Sequence, residues 1–194
     1  DHVYATFGRV DVMVNNAGVS GGRHLLETPE DEIDWVIDIN LKGVWRGTSV
    51  FGKRMCDQST PSVICNIGSE NSLGFIAPGL GIYAASKHGV LAMCDVLRHE
   101  LPAHVKVCVA CPGLVTSDLS RSSAQTSPRP RLSEAELEVA DEQALRHFDH
   151  YLFLSISLHL HVQSEQARNV VALASFRLRL NLRLNLRLRL VVRV

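Results

Sequence analysis

The sequence predicts an α/β fold, a parallel sheet with helices on both faces. Two observations carry this reading. Short apolar, β-branched runs alternate with longer helical patterns, so the strands are joined by crossovers rather than hairpins. Three of those runs end in small polar or glycine-rich residues, "NNAG" (15–18), "NIGS" (66–69) and "CPG" (111–113). In sheets of this kind the carboxyl ends of the strands are where ligands bind.

The elements follow in order. "VDVMVNNAG" (10–18) is a buried strand running into a turn. "TPEDEIDWVIDIN" (28–40) begins a helix, with Thr28 as N-cap, Pro29 at the first helical position and Asp31 at the third. "LKGVWRGTSVFGKRM" (41–55) is a second helical stretch, and "SVICNIGS" (62–69) a short strand. "YAASKHGVLAMCDVLRHEL" (83–101) is a long helix, and "VKVCVACPG" (105–113) a strand broken by Pro-Gly.

The chain changes character near residue 120. All 13 glycines lie at or before Gly113, and all four lysines at or before Lys106. The 11 basic residues from Arg121 onward are all arginine. Residues 1–119 therefore form one unit. Residues 120–176 begin with a linker, the turn-rich "SRSSAQTSPRPRLS" (120–133). Ser133 and Glu136 form a capping box before an amphipathic helix, and "LSISLHLHV" alternates like a half-buried strand. Residues 177–190, "RLRLNLRLNLRLRL", are a low-complexity tail whose period of two favours a strand.

Composition bounds the function. A hydrophobic fraction of 46% and a charged fraction of 21% are ordinary for a globular protein. The formal net charge of zero gives no global sign of a nucleic-acid or membrane partner. No apolar run approaches the roughly 18 residues of a membrane-spanning helix. Five scattered cysteines imply reduced thiols in a cytoplasmic compartment. Cys108 and Cys111 match C-x-x-C, but an offset of three on a strand points them to opposite faces, as for core cysteines. His88 and His99 read as helix-surface residues. His159 and His161 have no third partner at metal-binding spacing, so no metal site is expected.

The chemistry centres on "IYAASKHGV" (82–90). Tyr83 and Lys87, four apart on a helix, share one face. A cation there favours phenolate and lowers the tyrosine pKa, so the pair could exchange a proton with an alcohol or ketone oxygen near neutral pH. The same spacing also suits a core tyrosine beside a snorkelling lysine.

The ordered set "VMVNNAGVSG", "DINLKGVW", "NIGS", "YAASKHGV" and "CPGLVTSDL" resembles the short-chain dehydrogenase/reductase family over Phe7 to Leu119. The resemblance implies an incomplete Rossmann-type fold, NAD or NADP as cofactor, and hydride transfer between the nicotinamide and a small alcohol or carbonyl substrate. It implies Tyr83 as general acid/base and Lys87 as the group that lowers its pKa and holds the nicotinamide ribose. Ser69 would hydrogen-bond the substrate oxygen, with Ser72 as a competitor. Asn40 would support a water-linked proton relay to Lys87, or else cap a helix. Asn16, Ala17 and Gly18 would line the adenosine side. Pro112, Gly113, Val115 and Thr116 would flank the nicotinamide, although Thr116 also suits a plain turn.

The family's glycine-rich pyrophosphate turn has no counterpart here, and the chain reads as amino-terminally truncated. Its alternative reading is therefore a non-catalytic fragment or pseudoenzyme acting through dimerisation. The resemblance implies a homodimer or homotetramer built on helices equivalent to 41–56 and 83–101.

Overall fold

The computed structural model describes residues 2–74, 76–113, 118–128 and 192–193. A short helix α1 (His2–Phe7) leads into strand β1 (Val12–Asn15). Helix α2 (Glu30–Ile37) passes through a π-turn (Asp38–Lys42) into helix α3 (Gly43–Asp57). Strand β2 (Ser62–Ile67), a 3-10 turn (Glu70–Leu73) and the long helix α4 (Gly81–Glu100) follow. Strand β3 (Val105–Ala110) and helix α5 (Leu119–Thr126) come next, and a two-residue strand β4 (Val192–Arg193) ends the described residues.

Strands β1, β2 and β3 are parallel and adjacent in chain order, with Val12 opposite Val63 and Ser62 opposite Val105. β4 pairs antiparallel with Val109 and Ala110. The parallel α/β reading is thus the architecture observed. Among the described residues α3 and α4 pack on the same face, over Met13, Ile64 and Val107. Right-handed crossovers between strands laid down in sequence order place both helices on one side. On the opposite face Val12 and Val14 remain 44% and 53% exposed.

The helix starts differ from expectation at Thr28. Pro29 is the N-cap residue, with extended backbone, and α2 begins at Glu30. The Thr28 hydroxyl donates to the His24 carbonyl at 3.1 Å, so it is spent on the preceding 3-10 turn. The Pro29 carbonyl instead accepts from both Glu32 and Ile33 at 3.1 Å. Glu30, Asp31 and Glu32 put negative charge at the positive end of the helix.

The expected linker from Ser120 is also corrected, since Leu119–Thr126 is helical and straddles the boundary drawn at residue 119. Its hydroxyls turn back on its own carbonyls: Ser122 and Ser123 donate to Leu119, and Thr126 to Ser122. Ser123 also accepts from the Ser20 N–H at 2.8 Å, anchoring α5 to the β1–α2 loop. The readings of the capping box at Ser133, "LSISLHLHV" and the arginine–leucine run 177–190 lie outside the described residues.

A polar network stitches the sheet to α3 and α4 just below the strand ends. The Asn15 amide donates to Asn66 Oδ1 at 2.7 Å, to Thr48 Oγ1 at 3.0 Å and to the Val44 carbonyl at 3.4 Å. Asn66 in turn donates to Cys94 Sγ at 3.2 Å. α3 can approach this closely only because residue 47 is glycine, as a Cβ there would overlap Asn15 Oδ1 and stand 3.3 Å from Met13 Cε. Three hydrogen bonds hold the Asn15 amide, so it cannot swing aside. Gly47→Ala should therefore destabilise the fold by about 1–3 kcal/mol. Urea unfolding would show this as a lower midpoint at unchanged slope.

Candidate active site

The carboxyl ends of β1, β2 and β3 lie side by side, with Asn15 opposite Asn66 and Ile67 opposite Ala110. The turns that leave them converge with the first turns of α4. Gly68 N–H donates to the Ala110 carbonyl at 2.7 Å, and Glu70 N–H to the Pro112 carbonyl at 2.8 Å. The "NIGS" and "CPG" turns are therefore held together by backbone bonds.

Ser69 takes an extended backbone at the start of the 3-10 turn and forms a reciprocal cap with it. Its hydroxyl accepts from Asn71 N–H at 3.2 Å, and its own N–H donates to Ser72 Oγ at 3.2 Å. Ser72 Oγ donates onward to the Lys87 carbonyl at 2.8 Å. The two serines thus divide the work. Ser72 ties the turn to α4, while the Ser69 hydroxyl donates to Asn71 Oδ1 at 3.1 Å and lies near enough to the Tyr83 phenol to favour its ionised form.

Lys87 is buried, 4% exposed, and its ammonium donates to the Ile67 carbonyl at the end of β2 at 2.9 Å. It lies 5.7 Å from the Tyr83 ring centroid, over the ring. Burial depresses the Lys87 pKa from 10.5 to about 8. The Tyr83 phenol does not show the expected lowering by Lys87. Burial pushes it up, the Ser69 hydrogen bond works against that rise, and negative charge at Glu70 and Cys111 adds to it. The ammonium is engaged at the Ile67 carbonyl and over the ring.

Asn40 lies inside the π-turn, fully buried, so it does not cap a helix end. The extra residue of a π-turn rotates its side chain inward. Asn40 Oδ1 accepts from Val19 N–H at 2.8 Å, and Nδ2 donates to the Val19 carbonyl at 2.8 Å and to Ser86 Oγ at 3.1 Å. Ser86 Oγ donates to the Tyr83 carbonyl at 2.7 Å. The "NNAG" turn and the first turn of α4 are so fixed to one another. Gly18 fills the gap between them: a Cβ there would stand 3.4 Å from Asn40 Oδ1 and 3.5 Å from Lys87 Nζ.

Asn16 and Ala17 are exposed just beyond β1, and Pro112 and Gly113 just beyond β3. Val115 and Thr116 lie outside the described residues. Sequence reasoning passed over Ser86, Glu70 and Cys111. Cys111 is buried, with Sγ 3.0 Å from where a Gly68 Cβ would lie. All five cysteines are free. Among the described residues no group of three or more metal-ligating side chains comes together, and no helix is long and apolar enough to cross a membrane.

The short chain dehydrogenase family model matches residues 1–128. The probable oxidoreductase EphD of Mycobacterium tuberculosis is 33% identical over 131 residues, covering 66% of this chain and 22% of that protein. The 3-oxoacyl-[acyl-carrier-protein] reductase FabG of Thermotoga maritima is 32% identical over 138 residues, covering 71% of this chain and 55% of that protein. The crystal structure of a short chain dehydrogenase/reductase from Burkholderia phymatum in complex with NAD superposes with a TM-score of 0.66 at 30% identity, over 76% of this chain and 54% of that one. The chain thus spans about half the length of the FabG reductase and about a fifth of EphD.

A lysine whose pKa is depressed on folding makes stability rise with pH. Below pH 8 both folded and unfolded states carry the proton, and the burial penalty is fully present. Between pH 8 and 10.5 the folded state releases it first, and the penalty is relieved. Relative to Lys87→Met, the native protein should gain about 1.4 kcal/mol per pH unit across that window. Urea denaturation of both proteins at stepped pH measures it, and a flat difference would contradict the depressed pKa.

Proposed function

The chain belongs to the short-chain dehydrogenase family, and on that premise we propose that the complete protein is an NAD- or NADP-dependent oxidoreductase acting on an alcohol/ketone pair. The observation that carries this reading is the buried Lys87 ammonium over the Tyr83 ring, with the Ser69 hydroxyl near enough to act on the same phenol. Two hydroxyls on one point can hold and protonate one substrate oxygen.

The residues present fit a nicotinamide. Gly18 leaves backbone accessible beside Lys87, a Cβ there standing 3.5 Å from Nζ, and among the described residues one of the three Lys87 donors is committed, to Ile67. Lys87 would hold the ribose hydroxyls, with Asn16, Ala17 and Gly18 on the adenosine side and Pro112, Gly113, Val115 and Thr116 against the nicotinamide. When bound, the cofactor supplies or accepts the hydride.

In the reducing direction Ser69 orients the carbonyl oxygen and Tyr83 gives it a proton, leaving an alcohol and a phenolate. The raised phenol pKa keeps Tyr83 protonated until that moment. The phenolate is reprotonated by way of Lys87, whose depressed pKa lets it pass a proton near neutrality. Asn40, whose Oδ1 and Lys87 Nζ flank Gly18, supports the water-linked relay to Lys87. Oxidation of an alcohol runs the same steps backward. A reducing, cytoplasmic compartment suits the five free thiols.

Exposed apolar residues on the interface helices favour assembly as well. Trp45 and Val50 on α3 are both 61% exposed, and Val96 on α4 is 54% exposed. They support a homodimer or homotetramer, the same association that would serve a non-catalytic form. Trp45→Glu with Val96→Glu should shift the protein to a smaller species in light scattering.

Tyr83→Phe in the full-length protein should keep the fold and the nicotinamide affinity while turnover falls by about 10²–10⁴. Steady-state kinetics with circular dichroism and cofactor titration measure all three. Near-native turnover would sink the mechanism.

A further inference from the structure

Glu70 follows Ser69 directly and is half-buried. Its backbone N–H is fixed to the Pro112 carbonyl at 2.8 Å, so its position relative to both turns is set. Its side chain reaches over Gly113, where Oε2 stands 3.0 Å from the place a Cβ would occupy. The carboxylate therefore lies against the Pro-Gly turn, near enough for its charge to act on Tyr83. Among the described residues no cation or hydrogen-bond donor is paired with it. A carboxylate so placed, partly stripped of water, gains from any donor brought to it and repels any anion.

We propose that Glu70 is a specificity-determining residue, accepting a hydrogen bond from a hydroxyl or ammonium group that the substrate carries next to its reacting carbon. This rests on the dehydrogenase reading and deepens it. The substrate class is then a hydroxy- or amino-ketone and the matching diol or amino alcohol. A 2-oxo acid, with its carboxylate at the same place, is disfavoured.

The test compares full-length native protein, Glu70→Gln and Glu70→Ala in the reduction of acetoin, aminoacetone and 2-butanone. These present a hydroxyl, an ammonium and no donor next to the carbonyl. Native protein should prefer a donor-bearing ketone over 2-butanone by about tenfold or more in kcat/KM. Glu70→Ala should erase that preference, bringing the ratio of kcat/KM between a donor-bearing ketone and 2-butanone close to one. Glu70→Gln keeps an acceptor but no charge. If the hydroxyl is the group read, acetoin should keep part of its advantage in that variant. If the ammonium is, the aminoacetone advantage should be lost in full. An equal loss on all three ketones, or an unchanged ratio, overturns the proposal and leaves the dehydrogenase reading standing. No nicotinamide-dependent turnover of any of the three by native protein overturns both.

Discussion

The buried ammonium of Lys87 is the constraint around which the site is organised. A charge with 4% of its residue exposed is unfavourable unless something accepts its protons, and here the acceptor is the Ile67 carbonyl at the end of β2. That one bond fixes the rotation of α4 against the sheet. Tyr83, one turn earlier on the same face, is carried to the strand end with it. The cost of burial appears in the depressed pKa.

Other bonds hold what Lys87 positions. Ser72 fastens the turn bearing Ser69 to the Lys87 carbonyl, so serine and tyrosine come to one place from two elements. Asn40 fastens the β1 turn through both backbone atoms of Val19 and reaches α4 through Ser86. Two turns, those after β1 and β2, are thus tied to α4 by short polar side chains, and the turn after β3 joins them through backbone bonds. Such networks specify a single arrangement because a half-made one leaves buried polar atoms without partners.

Much of this was legible in the sequence, for reasons that differ from residue to residue. Tyr83 and Lys87 are neighbours by helical period, a local rule, and the strand patterns at 12–15, 62–67 and 105–110 are local as well. What Lys87 bonds to is not local, and nothing in "YAASKHGV" indicates a carbonyl twenty residues upstream. The same limit hid Ser86, whose hydroxyl bridges Asn40 to Tyr83, and Glu70, whose reach to Gly113 depends on how two turns meet. The π-turn at Asn40 escaped because a single inserted residue leaves the apolar periodicity almost intact. The serines of α5 read as turn-formers, since their preference for backbone bonding does not say whose backbone.

The pairing of parallel strands has a consequence for how the protein is made. Asn15 and Asn66 meet across 51 residues of chain, and no strand described here pairs with a neighbour through a short turn. Every ladder must close a long loop before any of it is stabilised, which makes folding of such sheets slow. α4 can form early, by itself, with Tyr83 and Lys87 already on one face and both exposed to water. Their final placement has to wait for β2, because the end of that strand supplies the carbonyl that accepts from the ammonium. In the order of assembly, the geometry at the strand ends is among the last things the chain acquires.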